Sequence, residues 1–154
     1  MTYSARAPRT TRHLEQARGF VTGATPAPPI AQALGLRAVQ AELGEAVLEM
    51  DHDGRLANPM GTLHGGVICD LADLAMGMAM ASTLEDDESF TTLDLTAKFL
   101  KPIWNARLRA AATVVKRNRS LGLVECDVTD DGGSLVAKLL STCIVLRGED
   151  ARGR

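Results

Sequence analysis

From Val67 to Ala81 nearly every position is Leu, Ile, Val, Ala or Met, interrupted by Cys69, Asp70, Asp73 and Gly77. A helix apolar on all sides is normally buried, so this stretch predicts a central helix running to about Thr83, where the acidic Glu85-Asp86-Asp87-Glu88 begins a turn. The flanking segments change period. Leu36 to Glu42 and Glu45 to His52, parted by Gly44, predict a hairpin. Phe90 to Lys101 alternates Leu93, Leu95, Ala97 and Phe99 with Thr92, Asp94, Thr96 and Lys98, the mark of a strand with one buried face, and Pro102 ends it. Arg107 to Lys116 turns Leu108, Ala110, Ala112 and Val114 inward, and the chain returns through Leu123 to Thr129. After the turn at Asp130-Asp131-Gly132-Gly133, Ser134 to Leu146 is apolar on both faces, as in a strand near the middle of a sheet. Upstream, Arg12 to Phe20 predicts a short helix broken by the prolines at 26, 28 and 29, and Ile30 to Leu34 a helical turn closed by Gly35. Two strands, one long helix and four strands define an α+β domain in which an antiparallel sheet curls around a single helix.

The 154 residues suit one domain, divided here into an N-terminal tail at 1–27, a domain at 28–147 and a C-terminal tail at 148–154. A formal charge of −2 and 3% aromatic residues argue against nucleic acid as a partner. Three cysteines, without the spacing of a zinc site or a disulfide framework, read as thiols in a reducing, cytoplasmic setting. The longest apolar run, 66–81, is too short for a membrane span, and no secretory signal is evident. Arg6, Arg9, Arg12 and Arg18 read as part of a solvated tail in preference to an organellar transit peptide.

Candidate chemistry gathers on the central helix. Asp73, among Leu71, Ala72, Leu74, Ala75 and Met76, is costly to bury unless it is partnered. It reads either as a nucleophile or general base, or as a carboxylate bonded to a neighbouring strand or subunit. Asp70 lies one turn earlier, on nearly the same face, and would raise the apparent pKa of the pair. Gly65, where the helix begins, offers an unpaired N–H suited to a developing negative charge. Gly65 and Asp73 are eight residues apart, about 12 Å along a helix, whereas groups acting on one carbonyl must lie within about 3 Å of it. The spacing therefore predicts a site shared between two antiparallel copies of the chain. His64 reads as loop scaffold in preference to a base, a Cys69–His64 dyad lacks a third orienting residue, and Met76, Met78 and Met80 read as core able to line an acyl pocket. Lys98, Lys101, Arg107, Arg109, Lys116, Arg117 and Arg119 fall in a stretch without acids and read either as a solvated sheet edge or as a patch for phosphates.

Asn58-Pro-x-Gly61-x-x-His64-Gly65-Gly66, then Leu71-Ala72-Asp73, Phe99-Leu100-Lys101-Pro102 and Leu135-Val136-Ala137, together resemble the hotdog-fold acyl-CoA thioesterases, in their phenylacetyl-CoA thioesterase-like (PaaI-like) branch. The resemblance spans nearly the whole chain. It implies a hotdog fold of about six antiparallel strands wrapped around one helix, and hydrolysis of an aryl- or medium- to long-chain acyl-CoA without metal or organic cofactor. It further implies that Asp73 attacks the thioester or activates water, that the Gly65 N–H polarises the carbonyl, and that Asn58 orients water or carboxylate. Thr91 or Thr92 stands where relatives often carry an assisting polar residue. Gly66, Asp70, Lys101, Arg117 and Arg119 complete the expected substrate contacts, and the expected assembly is a homodimer sharing active sites, paired into a dimer of dimers. Asp70 departs from the Thr, Ser or Ala common in relatives. A non-catalytic acyl-CoA-binding module is the alternative, and a hotdog hydratase a more distant one.

Overall fold

The computed structural model describes residues 10–153. In chain order its elements are α1 (Arg12–Thr22), α2 (Pro29–Leu34), β1 (Arg37–Glu42), β2 (Glu45–His52), α3 (Gly65–Ala81), β3 (Glu88–Phe99), β4 (Ala106–Arg117), β5 (Leu121–Asp130) and β6 (Leu135–Arg147), with a short 3-10 turn at Gly148–Ala151. All six strands join one antiparallel sheet in the order β1-β2-β4-β5-β6-β3. The sheet curls around α3, which packs against β2, β4 and β5 and also reaches β3 and β6. This is the expected α+β architecture.

The inner faces of the strands and most of α3 form one core. Leu71, Ala72, Ala75, Met76, Ala79 and Met80 of the helix are fully buried, as are Leu48, Met50, Leu108, Val124, Val128 and Leu139 of the sheet. Each large apolar side chain so buried contributes about 1.5–3 kcal/mol, and the continuous apolar run is what obliges the sheet to wrap the helix. The helix is nonetheless not buried all round. Asp70, Asp73 and Gly66 are exposed and Leu74, Gly77 and Ala81 half-buried, so one stripe of α3 is left open within a single chain. The expectation of a buried Asp73 is corrected to this extent: the carboxylate sits on that stripe.

Both ends of α3 are tied down. His64 caps the N-terminus, and at the C-terminus the Ser82 hydroxyl donates to the Ala79 carbonyl (2.7 Å) and accepts from the Gly44 N–H (2.8 Å), locking the β1–β2 turn to the helix. The N-terminal segment is more than a tail. Leu14 and Ala17 are buried and α1 lies on β1, with Thr11 capping it through the Leu14 N–H. Arg6 and Arg9 lie outside the described residues.

β3 departs from the strict alternation. A bulge between Thr92 and Asp94 leaves Leu93 exposed, and Thr92 pairs with the buried Cys143 while Asp94 pairs with Thr142. An extra residue switches faces, so Thr92 joins Leu95 and Ala97 on the helix side instead of opposing them. Phe99, also expected to be buried, is 53% exposed at the end of this edge strand.

At the start of β3, Glu88 is buried and ion-paired with Arg117 (2.7 Å) and Arg147, and it accepts the Glu85 N–H at 3.0 Å. Burial alone raises its carboxyl; the Glu85 N–H and the two guanidiniums outweigh this and hold it below the ordinary glutamate range. Its stabilisation is thus present above a pH of about 4.3 and is lost as pH falls through the lowered folded-state value. Glu88→Ala strands two guanidiniums and should cost about 3 kcal/mol in urea unfolding at neutral pH, with a much smaller difference from wild type at acid pH.

Candidate active site

The loop before α3 is held rigid by its own polar groups. The Asn58 Oδ1 accepts the N–H groups of Met60 (2.9 Å) and Thr62 (3.3 Å), and its Nδ2 donates to the Thr62 hydroxyl (2.9 Å). Backbone bonds from His64 N–H to Leu56 and from Leu63 N–H to Ile103 tie the loop to its surroundings. His64 then turns the chain into the helix, with extended backbone (φ −64°, ψ 131°) and its Nδ1 accepting the Gly66 N–H at 2.9 Å. That bond leaves the ring proton on Nε2 and makes His64 a cap. The Val67 and Ile68 N–H groups go to the His64 carbonyl. Gly65 is the exception, its N–H having no protein partner among the described residues.

That free donor lies at a cleft of about 390 Å³ whose walls include Asn58, Thr62, Ile68, Phe99 and Lys101. Glycine is needed here for closeness. A Cβ on Gly65 would stand 3.1 Å from the Phe99 ring. Gly66, also expected near substrate, has given its N–H to His64.

Asp73 does not line this cleft. It lies two turns along the same uninterrupted helix, so the separation of about 12 Å holds. Loss of hydration at the helix surface raises its carboxyl above the ordinary aspartate value; a hydrogen bond from the Thr92 hydroxyl works against the rise, and the charge of Asp70 adds to it. Behind Thr92, the buried Cys143 thiol is pushed up by burial, an effect that the nearby hydroxyls of Ser141 and Thr92 partly offset. Asp73, Asp70, Thr92 and Cys143 thus form one polar group on the open side of α3. Cys143 was not foreseen, since only the bulge in β3 brings it under Thr92.

Other expected contacts are dispersed. Thr91 pairs with Ile144 on the opposite face of the sheet from Thr92 and so stands away from Asp73. The basic stretch is largely neutralised by acids from other strands: Lys101 pairs with Asp130, Arg107 with Asp51, Arg109 with Glu49 and Arg117 with Glu88. Lys101 borders the Gly65 cleft, whereas Arg117 and Arg119 border another at the far end of α3, about 25 Å away along the helix. Cys69 is half-buried, and loss of hydration, Asp70 and Asp73 all raise its thiol, the reverse of what a thiolate nucleophile needs. Among the described residues no group of His, Cys, Asp and Glu is arranged to hold a metal ion, and no helix is long and apolar enough to cross a membrane.

Comparison with known proteins agrees with this layout. The thioesterase superfamily profile matches residues 60–137, which run from the Asn58–Gly66 loop through α3 to β6. The chain is 28% identical over 114 residues to a 1,4-dihydroxy-2-naphthoyl-CoA hydrolase of Listeria monocytogenes, covering 74% of this chain and 91% of that one. Among solved structures, a thioesterase family protein of Silicibacter pomeroyi superposes with a TM-score of 0.77 at 26% identity, covering 88% of this chain and 99% of that one. The E. coli PaaI protein, from the phenylacetic acid degradation operon, superposes with a TM-score of 0.78 at 23% identity over 88% of this chain and 96% of its own, which speaks for the fold. A sheet wrapped around one helix, a glycine N–H free at the start of that helix and a profile spanning both place the chain in the thioesterase superfamily, as a hotdog-fold enzyme that hydrolyses thioesters.

Proposed function

We propose that the chain is an acyl-CoA thioesterase in which Asp73 activates water and the Gly65 N–H receives the developing oxyanion. The observation that carries this reading is a pair of opposed features on one helix: a raised, accessible carboxylate at Asp73 and an unpaired donor at Gly65. A carboxylate whose pKa lies above the ordinary value is a better base near neutral pH. In this reaction Asp73 takes a proton from water, the oxygen adds to the thioester carbonyl, and the C–S bond breaks to give the free acid and the CoA thiol. The tetrahedral oxygen is stabilised by the Gly65 N–H and the helix N-terminus. The reaction so written runs on protein groups alone, with no metal or organic cofactor.

The separation of Gly65 from Asp73 supports a homodimer in which each copy supplies one half of the site, and such dimers would pair again into a dimer of dimers. The exposed stripe of α3 and the edge strand β3, with Leu93 and Phe99 exposed, are compatible with a second copy lying there. Thr92 holds the Asp73 carboxylate, and Asn58 shapes the loop that presents Gly65. The Listeria relative's name, a CoA-ester hydrolase, supports CoA as the thiol.

Release of free thiol from a panel of acyl-CoAs should be measurable, and Asp73→Asn should lower kcat by about a thousandfold. The same substitution should raise the melting temperature at neutral pH, because ionised Asp73 is disfavoured in the fold and stabilises it only as falling pH protonates it. Binding of acyl-CoA with no turnover in the wild type would contradict the reading. The acid limb of the pH–rate profile should move in opposite directions in two variants. Asp70→Asn removes a nearby negative charge and shifts the limb to lower pH, whereas Thr92→Val removes a hydrogen bond to the carboxylate and shifts it to higher pH.

A further inference from the structure

The bulge in β3 decides where Thr92 points, so whatever fixes the bulge also fixes a contact of Asp73. β3 is the last strand of the sheet and pairs with β6 alone. Continued regularly from Leu95, which faces Ser141, the pairing would set Leu93 opposite the buried Cys143 and Thr92 opposite Ile144. Thr92 would then lie on the outer face of the sheet, away from α3. The regular register would also bury Leu93, which the bulge leaves exposed. A bulge that keeps an apolar residue in water, on a strand with one neighbour, needs fastening from that neighbour.

Two side chains supply it. The Ser141 hydroxyl donates to the Asp94 carbonyl at 2.8 Å, and the Asp94 Oδ1 accepts the Thr142 N–H at 3.2 Å. Both bonds run between β3 and β6 beside the bulge. Ser141 is fully buried on the helix side of β6, where Leu139 and Cys143 flank it. A buried hydroxyl is costly unless it is bonded, and a small apolar residue would fill the same space without that cost. The serine is accounted for by the bond it makes to the bulge.

We infer that Ser141 and Asp94 are positioning residues: together they hold the bulge at Leu93 and so keep the Thr92 hydroxyl on the Asp73 carboxylate. The catalytic meaning of this arrangement rests on the thioesterase reading of Asp73, whereas the fastening of Thr92 does not. The Thr92 bond opposes the upward shift of the Asp73 carboxyl, so the titration of Asp73 reports whether Thr92 is in place. The other titratable groups around that carboxylate are Asp70 and Cys69 on α3 and Cys143 on β6, and all three stay unaltered in the variants below.

Carbon NMR of protein labelled at aspartate follows the Asp73 carboxyl directly, in variants checked for folding by thermal melting. Ser141→Ala should move its titration to higher pH, in the same direction as Thr92→Val. In the Thr92→Val background, Ser141→Ala should add nothing further. Asp94 is exposed and gives a second route that does not disturb the core. Asp94→Ala and Asp94→Asn lose the same charge, but the asparagine keeps an oxygen for the Thr142 N–H, so Asp73 should titrate higher in Asp94→Ala than in Asp94→Asn. In acyl-CoA hydrolysis, Ser141→Ala should lower kcat about tenfold with KM unchanged. An unmoved Asp73 titration in folded Ser141→Ala, or an effect that persists in full without the Thr92 hydroxyl, overturns the inference. Should Ser141→Ala not fold, the two Asp94 variants decide the matter, and equal titrations in them overturn it. If the titrations behave as stated and no acyl-CoA is hydrolysed, the thioesterase reading fails and the positioning of Thr92 stands.

Discussion

The constraint on which the structure depends is the burial of an almost wholly apolar helix by a chain of modest size. With one sheet available, α3 can lose its contact with water only if the strands curve around it, and the inward residues of β2, β4, β5 and β6 are mostly Leu, Val, Ala, Met and Cys, with the polar His52 and Ser141 buried among them. Six strands cannot close completely over one helix. The stripe that remains carries Asp70 and Asp73, so the charges sit on the part of the helix the sheet leaves open, where partial loss of hydration still raises the Asp73 carboxyl.

The same helix sets the chemistry through its ends. A start at Gly65 leaves one N–H free because His64 satisfies the Gly66, Val67 and Ile68 donors, and this selectivity comes from the rigid Asn58–His64 loop. The distance from that donor to Asp73 is fixed by helix rise. On the proposed reading, a site shared between two copies follows from keeping both groups on one helix.

Much of this was legible in the sequence. The period of two in β4 and β5, the apolar run of α3 and the Gly turns located every strand and the helix to within a few residues, and the loop motif singled out Gly65 and Asp73. Two things were not. The bulge at Leu93 adds one apolar residue to a strand whose alternation continues unbroken in the letters, so the switch of Thr92 to the helix side leaves no local mark. The basic stretch from Lys101 to Arg117 looked free because its neutralising acids are distant in the chain: Glu49 and Asp51 meet Arg109 and Arg107 through β2–β4 pairing, and Glu88 and Asp130 meet Arg117 and Lys101 only once the sheet has folded.

The central claim, that each site is completed by a second copy, is tested most directly by subunit complementation. Gly65→Pro removes the free N–H and also brings a Cβ to about 3.1 Å from the Phe99 ring, so the variant is first checked for folding by thermal melting. Proline is welcome at the first helical position, and the extended His64 backbone already suits a following proline. Mixed and reassociated with Asp73→Asn protein, two nearly inactive chains should form hybrids in which one site holds both an intact Gly65 and an intact Asp73. Thiol release from an acyl-CoA should then recover to roughly a quarter of the wild-type rate, as random pairing into two-fold dimers requires. A mixture that regains nothing after proven exchange of subunits, or a wild type fully active as a monomer, would contradict the account.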